Sequence, residues 1–212
     1  MNSNTQTLNN PKVNIELPIM EFFHTIQGEG AHTGTAAYFI RTGGCDVGCV
    51  WCDVKESWNA EDHPKMSIDS IANELEKVTV DVVVITGGEP LMYNMTALTC
   101  ALQEKGYKTH VETSGVYELS GDWDWICFSP KKFKKPRIEF YENADELKVI
   151  IYNLSDLAWA EDHASRMNPH AKLFLQPEWS KKDQMISKIV QYVKSNPKWK
   201  ISLQTHKYLD IP

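Results

Sequence analysis

The stretch Val82–Val111, VVVITGGEPLMYNMTALTCALQEKGYKTHV, decides the class of fold. Val82-Val-Val-Ile85 is an unbroken β-branched run, the pattern of a strand buried on both faces. It enters Thr86-Gly-Gly-Glu-Pro90, where paired glycines and a proline end the strand in a loop. Met95, Leu98, Ala101 and Leu102 then recur at helical spacing until Gly106, and Tyr107 to Val111 forms the next strand. Strand, crossover helix and strand make a βαβ unit, the building block of parallel sheets.

The same alternation extends in both directions. Upstream, Ile15 to Phe23 leads into the glycine-bearing loop Thr25-Ile-Gln-Gly-Glu-Gly30, and Ala36 to Ile40 is a strand continued by Arg41-Thr-Gly-Gly44. Ser67 is placed to N-cap a helix on Ile68, Ile71, Ala72, Leu75 and Val78. Downstream, Trp125–Phe128, Glu146–Tyr152, Lys172–Leu175 and Trp199–Leu203 read as strands. A helix is expected over Leu154–His163. Another is expected to open at Ser180-Lys-Lys-Asp183, which resembles a capping box with Asp in place of Glu.

About six strands are fewer than a complete (β/α)8 barrel uses, and 212 residues fall short of its usual length of about 250. The expected fold is therefore α/β, an incomplete, open (β/α) barrel of mostly parallel strands. A single domain over residues 15–212 follows a polar arm, residues 1–14, expected to be flexible. Most polar motifs fall just after a strand, on the edge where barrel-like folds bind ligands.

Composition narrows the functional classes. A net charge of −6 lacks the basic surplus of a nucleic-acid binder. No run approaches the roughly 18 apolar residues of a membrane span, and the N-terminal residues lack the apolar core of a secretory signal. Five cysteines, three of them clustered, argue against a disulfide framework and for a reducing cytoplasm. Cys100 and Cys127 sit in apolar helix and strand contexts and are expected to be buried packing residues.

The clustered cysteines carry the chemistry. Cys45-Asp-Val-Gly-Cys49-Val-Trp-Cys52 spaces three thiols as C-x3-C-x2-C in one loop, close enough to reach one inorganic centre. Three thiolates leave one iron of a 4Fe–4S cube open for a small molecule. A zinc loop closed by a distant ligand such as His63, or a redox pair of Cys49 and Cys52, uses the same residues.

The cysteine spacing with Trp51 before the last cysteine resembles the signature of the radical S-adenosylmethionine (SAM) superfamily. Gly87, Gly88 and Glu89 match its G-G-E-P motif position by position. Further motifs narrow the likeness: T-I-Q-G-E-G, F-I-R-T-x-G-C, T-G-G-E-P, E-T-S-G, S-P-K, Q-P and Q-T-H-K occur in order from Thr25 to the C-terminus. Together they resemble the 7-carboxy-7-deazaguanine synthase family of 7-deazapurine (queuosine) biosynthesis.

The resemblance implies a 4Fe–4S cluster on Cys45, Cys49 and Cys52, and a SAM site at Trp51, Gly88, Glu89, Thr113, Ser114, Ser129, Pro130, Lys131 and Gln176. It implies substrate positions at Ile26, Gln27, Gly28, Glu29, Arg41, Thr86, His206 and Pro212, with Arg41 and Asp53 in the catalytic set and Asp53 on Mg²⁺. The implied reaction converts 6-carboxy-5,6,7,8-tetrahydropterin to 7-carboxy-7-deazaguanine with loss of ammonia, after SAM cleavage supplies a 5′-deoxyadenosyl radical. A flavodoxin or ferredoxin reductant and a homodimer are family expectations.

The residue types agree. Arg41 offers a planar fork for a carboxylate, while its plain role is a salt bridge at a strand end. Gln27 and Glu29 supply groups for a pterin's polar edge, although Glu29 serves equally as surface charge or loop support. The resemblance also implies that the carboxylate of Pro212 meets the pterin. Asp53 alone would hold Mg²⁺ weakly, so Mg²⁺ binding is expected to depend on substrate. A glycyl-radical activating enzyme, which leaves T-I-Q-G-E-G and Arg41 without a role, and a non-enzymatic zinc module are the alternatives. Without the resemblance the basic run Lys131, Lys132, Lys134, Lys135 and Arg137 would read as a solvated loop; with it, Lys131 belongs to the SAM site and the rest of the run has no assigned role.

Overall fold

A computed structural model describes residues 15–212; the expected arm, residues 1–14, lies outside them. The described residues form a nine-stranded sheet whose two edge strands, β3 and β9, do not pair with each other, in the order β3-β1-β2-β4-β5-β6-β7-β8-β9. Strand β1 (Glu16–Ile26) pairs antiparallel with β2 (Ala36–Thr42) and with the short β3 (Lys65–Ser67). From β2 the sheet is parallel through β4 (Val82–Gly87), β5 (Lys108–Thr113), β6 (Trp125–Phe128), β7 (Glu146–Ile151), β8 (Lys172–Pro177) and β9 (Trp199–Ile201). Among the described residues the α-helices are α1 (Ile68–Glu74), α2 (Thr96–Glu104), α3 (Glu139–Asn143), α4 (Ser155–Ala164), α5 (Lys182–Ser195) and α6 (Thr205–Leu209).

The parallel part is the expected partial barrel. Two antiparallel strands extend it: β1 lies in the segment read from sequence as a lead-in to the Thr25–Gly30 loop, and β3 in a segment given no strand reading. Strand β1 buries Leu17 and Ile19 in the main core between its two neighbours, while the edge strand β3 is held by its pairing with β1.

Period-two alternation divides every parallel strand between two environments. On β7, Leu147, Val149 and Ile151 face a core shared with Ile85, Val111, Phe128 and Leu175 and with Ile71, Leu98, Leu102 and Ile189 of the helices. The alternate residues turn to the concave face. There Ala37, Phe39 and Val84 form only a small apolar cluster beneath polar groups. Glu146, Lys148 and Gln176 are each 2% exposed, so this interior is polar, buried and matched group to group.

Ser67 caps α1 as expected, accepting a hydrogen bond from the Ser70 N–H at 3.3 Å. Two local expectations are corrected. Ser180 does not cap α5: Glu178 at the end of β8 accepts from the Ser180 N–H (3.1 Å) and hydroxyl (2.6 Å), opening a 3₁₀ turn that precedes the helix. A carboxylate already aimed along the strand outcompetes the serine as acceptor. Cys100 is exposed, while Cys127 is buried. The inward stripe of α2 runs through Met95, Leu98, Thr99 and Leu102, which turns position 100 to the outside. Among the described residues no helix is long and apolar enough to cross a membrane.

Candidate active site

Each parallel strand hands a functional loop to the same edge. The cysteine loop follows β2, Gly88 and Glu89 follow β4, and Ser114 follows β5. Ser129 and Lys131 follow β6, Tyr152 follows β7, Glu178 follows β8, and Gln204 and His206 follow β9. These loops and the polar concave face enclose a cavity of about 820 Å³. Every site residue expected from sequence lines it except Pro130, which is buried beside Ser129 and Lys131 without reaching the wall.

The cysteine loop is held open by backbone contacts. The N–H groups of Gly44 and Cys45 donate to the carbonyls of Ser57 and Trp58, and the Tyr93 hydroxyl donates to the carbonyl of Gly43 at 3.0 Å. Gly88 presses against this loop so closely that a Cβ there would collide with the Gly44 carbonyl oxygen. Cys45, Cys49 and Cys52 are half-buried free thiols on one wall. Burial pushes Cys49 up to about 11 against the opposing pull of the nearby Lys131 ammonium, and burial raises Cys45 too. Such thiols become thiolates on binding iron, whose charge compensates the lost hydration.

Trp51 stacks on Tyr152 (ring centroids 5.7 Å apart) and packs against Phe133 (5.2 Å), fixing the outer end of the loop. Lys131 donates to the Ser129 carbonyl (2.8 Å) and hydroxyl (2.6 Å), and burial lowers its pKa.

Glu89 works as a clasp. Its carboxylate, 2% exposed, accepts from the Leu91 N–H (3.2 Å), the Thr113 hydroxyl (2.6 Å), the Ser114 N–H (2.8 Å) and the Ser114 hydroxyl. It thereby ties the loop after β4 to the loop after β5, and its role in the site is to shape Gly88 and Ser114.

At the other end of the cavity the T-I-Q-G-E-G loop meets the C-terminal segment. The Thr205 N–H and hydroxyl both donate to the Gly28 carbonyl (2.9 and 2.8 Å), and the Thr25 hydroxyl donates to the Pro212 carbonyl at 3.2 Å. A Cβ at Gly28 would run into the His206 ring. Burial lowers the pKa of His206, which favours a neutral imidazole able to donate and accept. Arg41 pairs with Glu21 through Nε at 2.6 Å and lies 5.3 Å from the Phe23 ring centroid. Asp53 pairs with Lys207 at 2.8 Å. Gln176 accepts from the Ser202 hydroxyl at 2.6 Å.

Between these ends stands a charged network that the motif reading missed. Lys148 bridges Glu29 (2.5 Å) and Glu112 (3.0 Å), Gln27 donates to Glu112 (2.9 Å), and Gln204 donates to Glu29 (2.9 Å). Burial alone would raise the Glu29 carboxyl. Lys148 and the amides of Gln204 and Gln176 outweigh burial and bring it down to about 2. The missed signal is periodic: in Glu146-Leu-Lys-Val-Ile-Ile151 two charged residues occupy alternate positions of an otherwise apolar strand.

Comparison with known proteins agrees with this architecture. The model of the Radical SAM superfamily matches residues 39–154. A 7-carboxy-7-deazaguanine synthase of Flavobacterium psychrophilum is 60% identical, over 92% of this chain and 93% of its own length. The chain belongs to the 7-carboxy-7-deazaguanine synthase family. The synthase of a Synechocystis species is 46% identical over 93% of this chain and 94% of its own. The crystal structure of QueE from Escherichia coli superposes with a TM-score of 0.79 at 28% identity, covering 89% of this chain and 93% of that one.

Membership of the synthase family makes the chain a radical SAM enzyme, a carbon–nitrogen lyase of 7-deazapurine biosynthesis that performs the family's ring contraction. It brings with it the use of an iron–sulfur cluster and SAM. Neither the glycyl-radical activating enzyme nor the zinc module fits this membership.

Proposed function

We propose that this enzyme converts 6-carboxy-5,6,7,8-tetrahydropterin to 7-carboxy-7-deazaguanine with release of ammonia, inside the cavity at the carboxyl edge of the sheet. The carrying observation is convergence: the three cysteines, the G-G-E-P, E-T-S-G and S-P-K loops, the Q-G-E-G loop and the C-terminal segment all line one cavity.

The residues present fit a cluster held by three thiolates. Among the described residues no group of His, Cys, Asp or Glu is arranged as a cage for a single metal ion. Cysteines that each take a different iron of a cube need no such convergence. Cys45, Cys49 and Cys52 would hold the cluster, with Trp51, Gly88, Glu89, Thr113, Ser114, Ser129, Pro130, Lys131 and Gln176 forming or supporting the SAM wall. When bound, cluster and SAM together supply the radical that opens the reaction.

The chain's own residues bind, orient and exclude water. Arg41 has guanidinium N–H groups beyond the Nε paired to Glu21, enough to take a substrate carboxylate bidentately. Gln27, Glu29, Thr86 and His206 offer donors and acceptors to the ring, and Ile26, Gly28 and Pro212 close the cavity around it. Asp53 would exchange Lys207 for Mg²⁺ once substrate oxygens arrive to complete the coordination. A one-electron reductant such as flavodoxin or ferredoxin, a cytoplasmic setting and a homodimer complete the reading.

The deciding experiment is anaerobic turnover of reconstituted protein with SAM, a strong reductant, Mg²⁺ and 6-carboxytetrahydropterin, followed by mass spectrometry. 7-Carboxy-7-deazaguanine is expected, and is lost in Cys49→Ala. Formation of 5′-deoxyadenosine alone would keep the radical chemistry and reject the substrate.

A further inference from the structure

Lys148 is the most deeply buried cation whose partners line the cavity, its side chain only 3% exposed. It extends from the concave face of β7 to two carboxylates that reach the cavity from different elements, Glu29 after β1 and Glu112 at the end of β5. Neither carboxylate is saturated. Glu29 accepts from Lys148, Gln204 and Gln176, and Glu112 accepts from Lys148 and Gln27. An ionised carboxylate accepts about four hydrogen bonds, so both retain acceptor capacity toward the cavity.

We propose that Lys148 is a positioning residue for substrate recognition: its ammonium keeps Glu29 and Glu112 together as carboxylates, so that this wall accepts the N–H-rich amino-pyrimidinone edge of a pterin. The assignment rests on the pterin reading above and extends it. Two carboxylates this close in a buried site cannot both stay ionised without a cation between them. Protonating either one would place an O–H where the ring edge requires an acceptor. Lys148 pays no comparable dividend to the core, because the helices pack on the opposite face of the sheet.

The charged and titratable groups around Lys148 are consistent with this. They are Glu29 and Glu112, Cys127 on β6, Glu146 on its own strand, and Lys131 after β6. Burial lowers the Lys148 pKa, but Cys127 and the carboxylates Glu112, Glu29 and Glu146 outweigh it, so the ammonium persists. Burial favours the neutral thiol of Cys127 and raises Glu146, which weakens both as competitors for the ammonium that Glu29 and Glu112 contact directly. His206 faces the same carboxylates from the C-terminal segment with its pKa lowered by burial.

The test is equilibrium dialysis of reconstituted, SAM-loaded enzyme against 6-carboxypterin, which carries the same amino-pyrimidinone edge, between about pH 5.5 and 7.2, below the ionisation of the pterin's own ring N–H. The wild type is expected to bind with an affinity that is flat in this window. Lys148→Met is expected to bind at least about tenfold more weakly at the acid end of this window and to recover toward its upper end, by up to about tenfold per pH unit for one proton. Lys148→Arg should keep the flat profile. Lys148→Met combined with Glu112→Gln, which removes one of the two competing charges, should restore it.

An unchanged affinity in Lys148→Met, or a loss equal at every pH and not altered by the second substitution, would overturn the assignment. If Lys148→Met does not fold, the profiles of Lys148→Arg and of the double variant decide. A wild type that binds SAM but no 6-carboxypterin rejects the pterin reading itself, an outcome distinct from failure of the Lys148 role.

Discussion

At the scale of single residues, the site separates groups that touch ligands from groups that hold them. Glu89 belongs to the second kind, since its carboxylate is occupied by Leu91, Thr113 and Ser114. Glu89→Ala leaves those donors buried without an acceptor, at about 1–3 kcal/mol for each unsatisfied group. A fall of several kcal/mol in urea-unfolding free energy is expected, together with weaker SAM binding. Asp53 is the opposite case: half exposed and held only by Lys207, it is available for exchange. Mn²⁺ titration followed by EPR should show weak binding without substrate, tighter binding with it, and neither in Asp53→Ala. Stoichiometric tight binding to substrate-free enzyme would contradict this role. The G-G-E-P and cysteine motifs were legible because each packs its chemistry into a few adjacent residues. Lys148 was not, because it looks like an ordinary strand residue until the strand is curved, and Glu112, although it opens the E-T-S-G motif, meets its partner only in the fold.

At the scale of elements, α6 and the residues after it form one wall of the cavity. Thr205 docks on Gly28 and Pro212 on Thr25, so the last turn stands directly over the Q-G-E-G loop. A peptide extension placed after Pro212 has to leave through this wall. It is expected to raise the Kd for substrate at least about tenfold, equivalent to about 1.4 kcal/mol, while an N-terminal extension leaves it unchanged. Equal affinities by isothermal titration would reject the prediction. Gly28→Ala drives a Cβ into His206 and should produce the same substrate defect with SAM binding intact. The order of strands and helices was readable because apolar periodicity reports one element at a time. The misplaced α5 cap and the exposed Cys100 show its limit, since both depend on which way a short segment turns.

At the scale of the whole molecule, helices cover one face of the open sheet while the other carries the chemistry. Phe128 anchors the covered face, fully buried with Phe140, Tyr141 and His163 around it. Phe128→Ala is expected to cost about 3–5 kcal/mol in chemical unfolding, with the visible spectrum of the reconstituted cluster retained below the transition. The concave face contributes a pH dependence of stability. The Glu29 carboxyl is lowered to about 2 in the folded chain, so its stabilisation is complete above the ordinary carboxylate range and is lost as pH falls toward that value. Glu29→Gln should flatten the acid limb of a stability–pH curve between about pH 4.5 and 2.

The amino-acid sequence by itself determined the parallel α/β order, the open barrel and the thiol chemistry of the Cys45–Cys52 loop, because periodicity and short spacings are local properties of a chain. Only the tertiary structure decided which polar groups meet. Lys148 lies 119 residues from Glu29 and 36 from Glu112, and Pro212 lies 187 residues from Thr25. Contacts of that span arise from sheet curvature and strand order, which bring residues together through the packing of the whole chain.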